Sequence, residues 1–171
     1  LKVANLVAEF LKEQGIGHVF CLSGGASLHL IHGIADTEGI TYVCPQTEQS
    51  CGFAADAYAR LRGLGCAIAT SGPGATNLIT AIAASYYDSI PVLYLTGNVT
   101  TKRMSGGRVR QLGFQETPIV EMVKPVTKFA FTVMEAGEVI TVLRSAIYLA
   151  KDRRPGPSLV DIPDDIQRAV I

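Results

Sequence analysis

Six short, unbroken apolar runs alternate with segments of helical periodicity along this chain, and that alternation narrows the fold more than any other feature. The runs are His18–Leu22, Ile40–Cys44, Cys66–Thr70, Pro91–Thr96, Lys128–Val133 and Leu159–Ile162. They lack the in–out alternation of a half-solvated sheet, so each is expected to be a strand buried on both faces. The helical segments between them are Val3–Gln14, Ser27–Ile34, Glu48–Arg62, Ala75–Tyr87, Thr117–Val123 and Glu135–Ala150. Val3, Leu6, Val7, Phe10 and Leu11 share one face of the first, and Gly15 follows as its cap. The fold class that results is α/β, a three-layer αβα arrangement around a six-stranded, mostly parallel sheet. Asp164–Ile171 reads as a departing tail.

Length and composition fit one domain over residues 1–171. A chain of 171 residues that is 48% hydrophobic can bury roughly two-thirds of its unfolded surface. The formal net charge is zero, which argues against nucleic acid and anionic membrane surfaces as partners. Asp88 and Pro91 interrupt the longest apolar stretch before it reaches the roughly 18 residues of a membrane span. Cys21, Cys44, Cys51 and Cys66 show no Cys-x-x-Cys spacing. They are expected to be buried free thiols in a reducing, cytoplasmic location. A first residue of Leu1 rather than Met is what an excised or processed piece would show.

Chemistry concentrates where strands end. Cys66–Thr70 runs into Thr70-Ser-Gly-Pro-Gly-Ala-Thr-Asn77, with Gly72 and Gly74 permitting close backbone approach and Pro73 stiffening the turn. As a dinucleotide fingerprint this loop is incomplete, because the third glycine would fall at Asn77. Glu48 opens a helix behind Thr47, and by itself such a carboxylate is a favourable partner of the helix dipole. Its position tempers that reading. Glu48, Ser23-Gly24-Gly25 and Thr70–Asn77 all lie beyond the carboxyl ends of strands, where open α/β sheets place their ligands. His29 and His32 are three apart on one helix, but no further ligand completes a metal set, and a solvated face accounts for them. Gly97–Gly113 is a long loop carrying Lys102, Arg103, Arg108 and Arg110, either solvated or able to steer an anionic substrate.

Helices 48–62 and 75–87 are apolar and small on more than one face, which is expected of an oligomer interface beside the glycine-rich loops. The alternative is that residues 98–130 fold over them.

Taken in order, Pro45-Gln46-Thr47-Glu48-Gln49, Ala54-Ala55-Asp56-Ala57-Tyr58-Ala59-Arg60 and Thr70–Asn77 resemble the pyrimidine-binding, N-terminal domain of thiamine diphosphate-dependent enzymes. The branch is similar to acetolactate synthase. Asp88-Ser89-Ile90-Pro91, Gly97-Asn98-Val99, Phe114-Gln115-Glu116, Pro155-Gly156-Pro157 and Asp161-Ile162-Pro163 extend the likeness over essentially the whole chain.

The resemblance implies a flavodoxin-like sheet topology and a 2-oxo acid carboligase or decarboxylase. Glu48 would be the catalytic residue, hydrogen-bonding a ring nitrogen of the cofactor's aminopyrimidine so that the tautomer able to activate the cofactor is favoured. Pro73 and Asn77 would border that ring, Gly24 and Gly25 would lie near the reacting end, and Phe114 and Gln115 would line the substrate channel. It also implies Mg²⁺ held by a diphosphate-binding domain of another subunit in a homodimer or larger homo-oligomer. Whether a middle domain of the parent enzyme carries FAD is left open. No Gly-Asp-Gly motif for that metal occurs in these residues, so the middle and diphosphate-binding domains are expected to be absent. The departures are Thr47 where the family usually has His before the glutamate, Ser23 where it has Pro, and Gln111-Leu112-Gly113 before Phe114. They bear on which 2-oxo acid is used. A separate small subunit of a two-chain decarboxylase and a non-catalytic assembly module are the other readings.

Overall fold

A computed structural model describes all residues from Leu1 to Ile171. Its six strands are β1 (His18–Cys21), β2 (Thr41–Val43), β3 (Gly65–Ala69), β4 (Val92–Asn98), β5 (Phe129–Thr132) and β6 (Ser158–Pro163). They form one sheet in the order β2-β1-β3-β4-β6-β5, and every neighbouring pair is parallel. The helices are α1 (Val3–Glu13), α2 (Leu28–Asp36), α3 (Glu48–Arg62), α4 (Pro73–Asn77), α5 (Ile79–Tyr87), α6 (Ile119–Val123), α7 (Val139–Lys151) and α8 (Asp164–Arg168). No helix is long and apolar enough to cross a membrane.

Period-two geometry sends alternate residues of each central strand into two separate cores. Cys66 and Ile68 of β3, Leu93 and Leu95 of β4, and Val160 and Ile162 of β6 join Val7 and Leu11 of α1, Leu30 of α2 and Leu143 of α7. Ala67, Ala69, Val92, Tyr94 and Leu159 face the opposite way, onto Ala55 of α3, Ile82 of α5 and Ile119 of α6. The second layer is built from small side chains because its helices approach closely. A Cβ on Gly65 would come within 2.0 Å of the Ala55 carbonyl oxygen, and one on Gly52 within 2.4 Å of Ala81 Cβ. Much of the small character of 48–62 and 75–87 is therefore used inside the chain. Phe53, Leu61 and Tyr87 remain exposed on these helices. From the 98–130 region, Ile119 and Val123 of α6 join the same core, and residues 124–126 pack beside α5.

Five expectations change. β2 is exposed along its length rather than buried on both faces, because it is an edge strand, and Cys44 just beyond it is exposed rather than buried. Residues 75–87 do not form one helix: it starts earlier, with Pro73 at its first turn, and divides at Leu78 into α4 and α5. Proline suits that first turn because its missing N–H would find no partner there. Strand β4 runs on through Asn98, so Gly97 belongs to a buried strand rather than to the loop. The absence of a side chain at Gly97 lets the Ala26 carbonyl oxygen come within 1.8 Å of where a Cβ would stand. Residues 164–171 do not depart. They form α8, Ile166 and Gln167 are buried, and Val170 bridges antiparallel to Lys2. The Gln167 amide donates to the carbonyls of Ile162 (2.7 Å) and Ala26 (2.6 Å) and accepts from Leu30 N–H (3.3 Å).

Candidate functional site

Strand order reverses between β1 and β3: β2 lies on one side of β1, and the chain then crosses back to place β3 on the other. The crevice outside such a reversal is where open parallel sheets bind ligands. Here it is bounded by Ser23-Gly24-Gly25 after β1 and by Thr70–Asn77 after β3, while the segment after β2 delivers Glu48.

Glu48 is positioned by the start of α3. Thr47 is extended and its hydroxyl accepts the Ser50 N–H at 3.1 Å, a conventional N-cap. At the other end, Gly63 takes a left-handed conformation (φ 81°) and its N–H reaches the Ala59 carbonyl at 2.7 Å. Asn77 Nδ2 donates to Glu48 Oε2 at 3.0 Å across the crevice, joining the start of α3 to the end of α4. Glu48 is half-buried, and Asn77 is the side chain that donates to it. A carboxylate can accept about four hydrogen bonds, so most of its capacity is unspent.

Thr70 ties the two loops together. Its Oγ1 accepts the Ala26 N–H at 3.1 Å, and its side chain fills the space beside both Gly24 and Gly74. A Cβ on Gly24 would lie 2.4 Å from Thr70 Cβ. One on Gly74 would lie 2.7 Å from Thr70 Cγ2 and 3.4 Å from Glu48 Oε1. Gly25 has open space where a Cβ would be. Pro73 is exposed at the lip of the crevice, on the first turn of α4.

On the far side of the loop stand the residues expected to line a channel. Gly72 has φ 63°, and a Cβ there would meet Gln115 Cβ at 2.8 Å. Gln115 itself adopts φ 61°, a conformation that costs a non-glycine residue energy and clusters at functional sites. Phe114 is 83% exposed. Gly25, Ala26, Ser71, Phe114 and Gln115 line a cleft of about 340 Å³, together with Arg103. The Thr101–Arg103 turn is anchored by Asp165, whose carboxylate accepts from Thr101 Oγ1 at 2.6 Å and Thr101 N–H at 3.0 Å. Those bonds outweigh the burial cost and hold Asp165 below the usual carboxylate range. Glu116 braces the same loop by accepting from Ser105 N–H (2.6 Å), Ser105 Oγ (2.7 Å) and Leu112 N–H (2.8 Å).

Glu48, Gly74 and Asn77 are thus brought together, and so are Gly24 and Thr70, and Gly25, Phe114 and Gln115. Thr70 carries no chemistry of its own, so its bridging role shows only in three dimensions. Arg103 was one of four basic loop residues, and only the fold separates it from Arg108 and Arg110. A second cavity, of about 690 Å³, lies away from Glu48, between the 101–118 loop, α6 and β5. His29 faces Asp164 at 3.5 Å and His32 faces Asp36 at 3.6 Å, so the two imidazoles serve different neighbours. No group of three or more His, Cys, Asp or Glu side chains is gathered as a metal site.

These features suit a flat, nitrogen-bearing ring. A half-buried carboxylate with spare acceptor positions, an amide beside it and a glycine backbone below would hold a flat ring bearing N–H donors.

Comparison with known proteins agrees. Residues 1–122 match the family described as thiamine pyrophosphate enzyme, N-terminal TPP binding domain. Tobacco chloroplastic acetolactate synthase 2 is 42% identical over 99% of this chain. The Arabidopsis thaliana chloroplastic acetolactate synthase is 43% identical over 98% of it. For rice chloroplastic acetolactate synthase 1 the figures are 42% and 98%. The chain spans 25%, 24% and 25% of the lengths of these three relatives. The fold, the placement of Glu48 at the strand-order reversal and these likenesses agree: the chain belongs to the thiamine pyrophosphate enzyme family, as its N-terminal TPP-binding domain.

Proposed function

We propose that this chain is the aminopyrimidine-binding half of a thiamine diphosphate-dependent carboligase or decarboxylase acting on 2-oxo acids, and that Glu48 is its catalytic carboxylate. The observation that carries the reading is Glu48 itself, held by Asn77 at 3.0 Å in the crevice where strand order reverses, with acceptor capacity left for a ligand. The cofactor, when bound, supplies stabilisation of the carbanion left after carbon dioxide departs. The protein groups do the rest. Glu48 accepts a hydrogen bond from the ring and holds or shares a proton at its Oε atoms. Asn77 fixes the carboxylate's orientation. Pro73 provides a stiff edge, and Gly24, Gly25 and Gly74 let the ligand approach the backbone. Phe114, Gln115 and Arg103 border the approach, where a cationic side chain would favour an anionic substrate.

Mg²⁺ and any flavin belong, in this reading, to parts outside these residues. The diphosphate is received by a domain of another subunit across the surface that α3 and α5 leave exposed, in a homodimer or larger assembly. A reducing cytoplasm is part of the same reading, since the four cysteines stand as free thiols. The deciding experiment is Glu48→Gln in the natural protein, assayed for thiamine diphosphate binding with magnesium and for turnover of a 2-oxo acid. Retained binding with turnover reduced by orders of magnitude supports the assignment; near-normal turnover removes Glu48 from the mechanism.

A further inference from the structure

Beside the crevice, two thiols from different strands stand almost in contact. Cys21 ends β1 and is fully buried, whereas Cys44 directly follows β2 and is exposed. The strands are parallel with Phe20 opposite Val43, so Cys21 and Cys44 are the next neighbours in the same register. Their Sγ atoms are 3.9 Å apart. Adjacent strands in a sheet are spaced by about 4.8 Å, which falls within the Cα separation of about 4.4–6.8 Å that disulfides tolerate. β2 is short, lies at the edge of the sheet, and all three of its residues are exposed, so Cys44 follows a strand with a single neighbouring strand. Closing the sulfurs to bonding distance needs a shift of roughly 2 Å, within reach of side-chain rotation and a small movement of an edge strand.

We propose that Cys21 and Cys44 form a site of reversible thiol oxidation whose reagent is a low-molecular-weight disulfide such as glutathione disulfide. The exposed Cys44 loses its proton to water and its thiolate attacks one sulfur of the reagent, expelling the first glutathione as a thiolate. The Cys21 thiol then gives its proton to water and attacks Cys44 Sγ, breaking the mixed disulfide and expelling the second glutathione. Two protein thiols are oxidised, and one external disulfide is reduced to two thiols. Burial, together with the neighbouring Cys44, pushes the Cys21 thiol up to about 12, so the second step draws on a small thiolate fraction and relies on the proximity of the two sulfurs. The bond closes four residues before Glu48, directly ahead of the segment Pro45-Gln46-Thr47 that leads into α3. The pair stands whether or not the crevice binds the cofactor.

The test uses the natural protein, reduced, freed of cofactor and exposed to glutathione disulfide, then alkylated, digested and mapped by mass spectrometry. The expected result is a linked Cys21–Cys44 peptide replacing both alkylated peptides, reversed by dithiothreitol, while Cys66 stays alkylated only after unfolding. Cys44→Ser, an exposed substitution that should not disturb folding, is expected to abolish the linkage. In Cys21→Ala, Cys44 should accumulate the mixed glutathione adduct. Four results would overturn the proposal: no oxidation, a wild-type reaction that stops at the adduct, a bond from Cys44 to Cys51, or a bond between two chains.

Discussion

Two carboxylate–asparagine pairs stand at the carboxyl edge of the same sheet, and they are built for opposite purposes. At the β1–β3 reversal, Glu48 is half-buried and receives the Asn77 amide at 3.0 Å. Within β6, Asp161 is 1% exposed and accepts from Thr96 Oγ1 (2.7 Å) and Asn98 Nδ2 (2.7 Å) of β4 and from Thr132 Oγ1 (3.2 Å) of β5. Burial raises the Asp161 carboxyl to about 6, with those three donors pulling the other way. The second pair has spent its acceptors on the protein and serves as a clasp across β4, β5 and β6. The first has kept them. A carboxylate beside an amide is therefore not in itself a mark of function; what separates the two pairs is unspent hydrogen-bonding capacity facing a crevice.

Perturbing each pair in turn puts that contrast at risk. The largest effect is expected from Glu48→Gln, which should lower turnover of the natural enzyme by about 10²–10⁴-fold while changing unfolding free energy by no more than about 0.5 kcal/mol. A large loss of stability there would make Glu48 a structural clasp like Asp161. Asp161→Ala should show the reverse pattern, costing about 3 kcal/mol in a denaturant titration because buried donors lose their acceptor.

The two carboxylates should also differ in pH dependence. The folded-state value of Asp161 is raised, so between 3.8 and about 6 the folded chain keeps a proton that the unfolded chain has released. Its contribution to stability is complete below that window and is lost as pH rises through it, by on the order of 3 kcal/mol. Denaturant midpoints across the window should show this downward component in wild type and its absence in Asp161→Asn.

Smaller effects sharpen the first site. Gly74→Ala brings a methyl against Thr70 and towards Glu48 Oε1, and should lower stability by about 1–2 kcal/mol with a matching fall in cofactor affinity by calorimetry. Asn77→Ala leaves Glu48 in place but unoriented, and should weaken binding by about tenfold, the worth of one hydrogen bond.

Much of this organisation could be read along the chain. The bounds of α3 follow from Thr47 as cap, the apolar pattern and Gly63 at the end. The six strands follow from their unbroken apolar runs, and the crevice from which loops follow strands. The parts not legible locally are those decided by distant residues. Helix α8 is only five residues long, too short to hold its shape without partners, and its partners are Ala26, Leu30 and Ile162, reached through Gln167. Gly97 looks like the start of a loop until the Ala26 backbone is seen lying where its side chain would be. The same holds for the small residues of α3, whose tight neighbours are β3 and α5.

The amino-acid sequence alone determined the α/β class and the three loops at the carboxyl edge of the sheet, because periodicity, glycine placement and helix caps are local properties; Glu48 was singled out by the resemblance of its motif to a known family. Tertiary structure decided which carboxylate has acceptors to spare, which of four basic loop residues borders the cleft, and which two of four cysteines are neighbours. Those are distances between residues far apart in the chain, and only strand order and register set them.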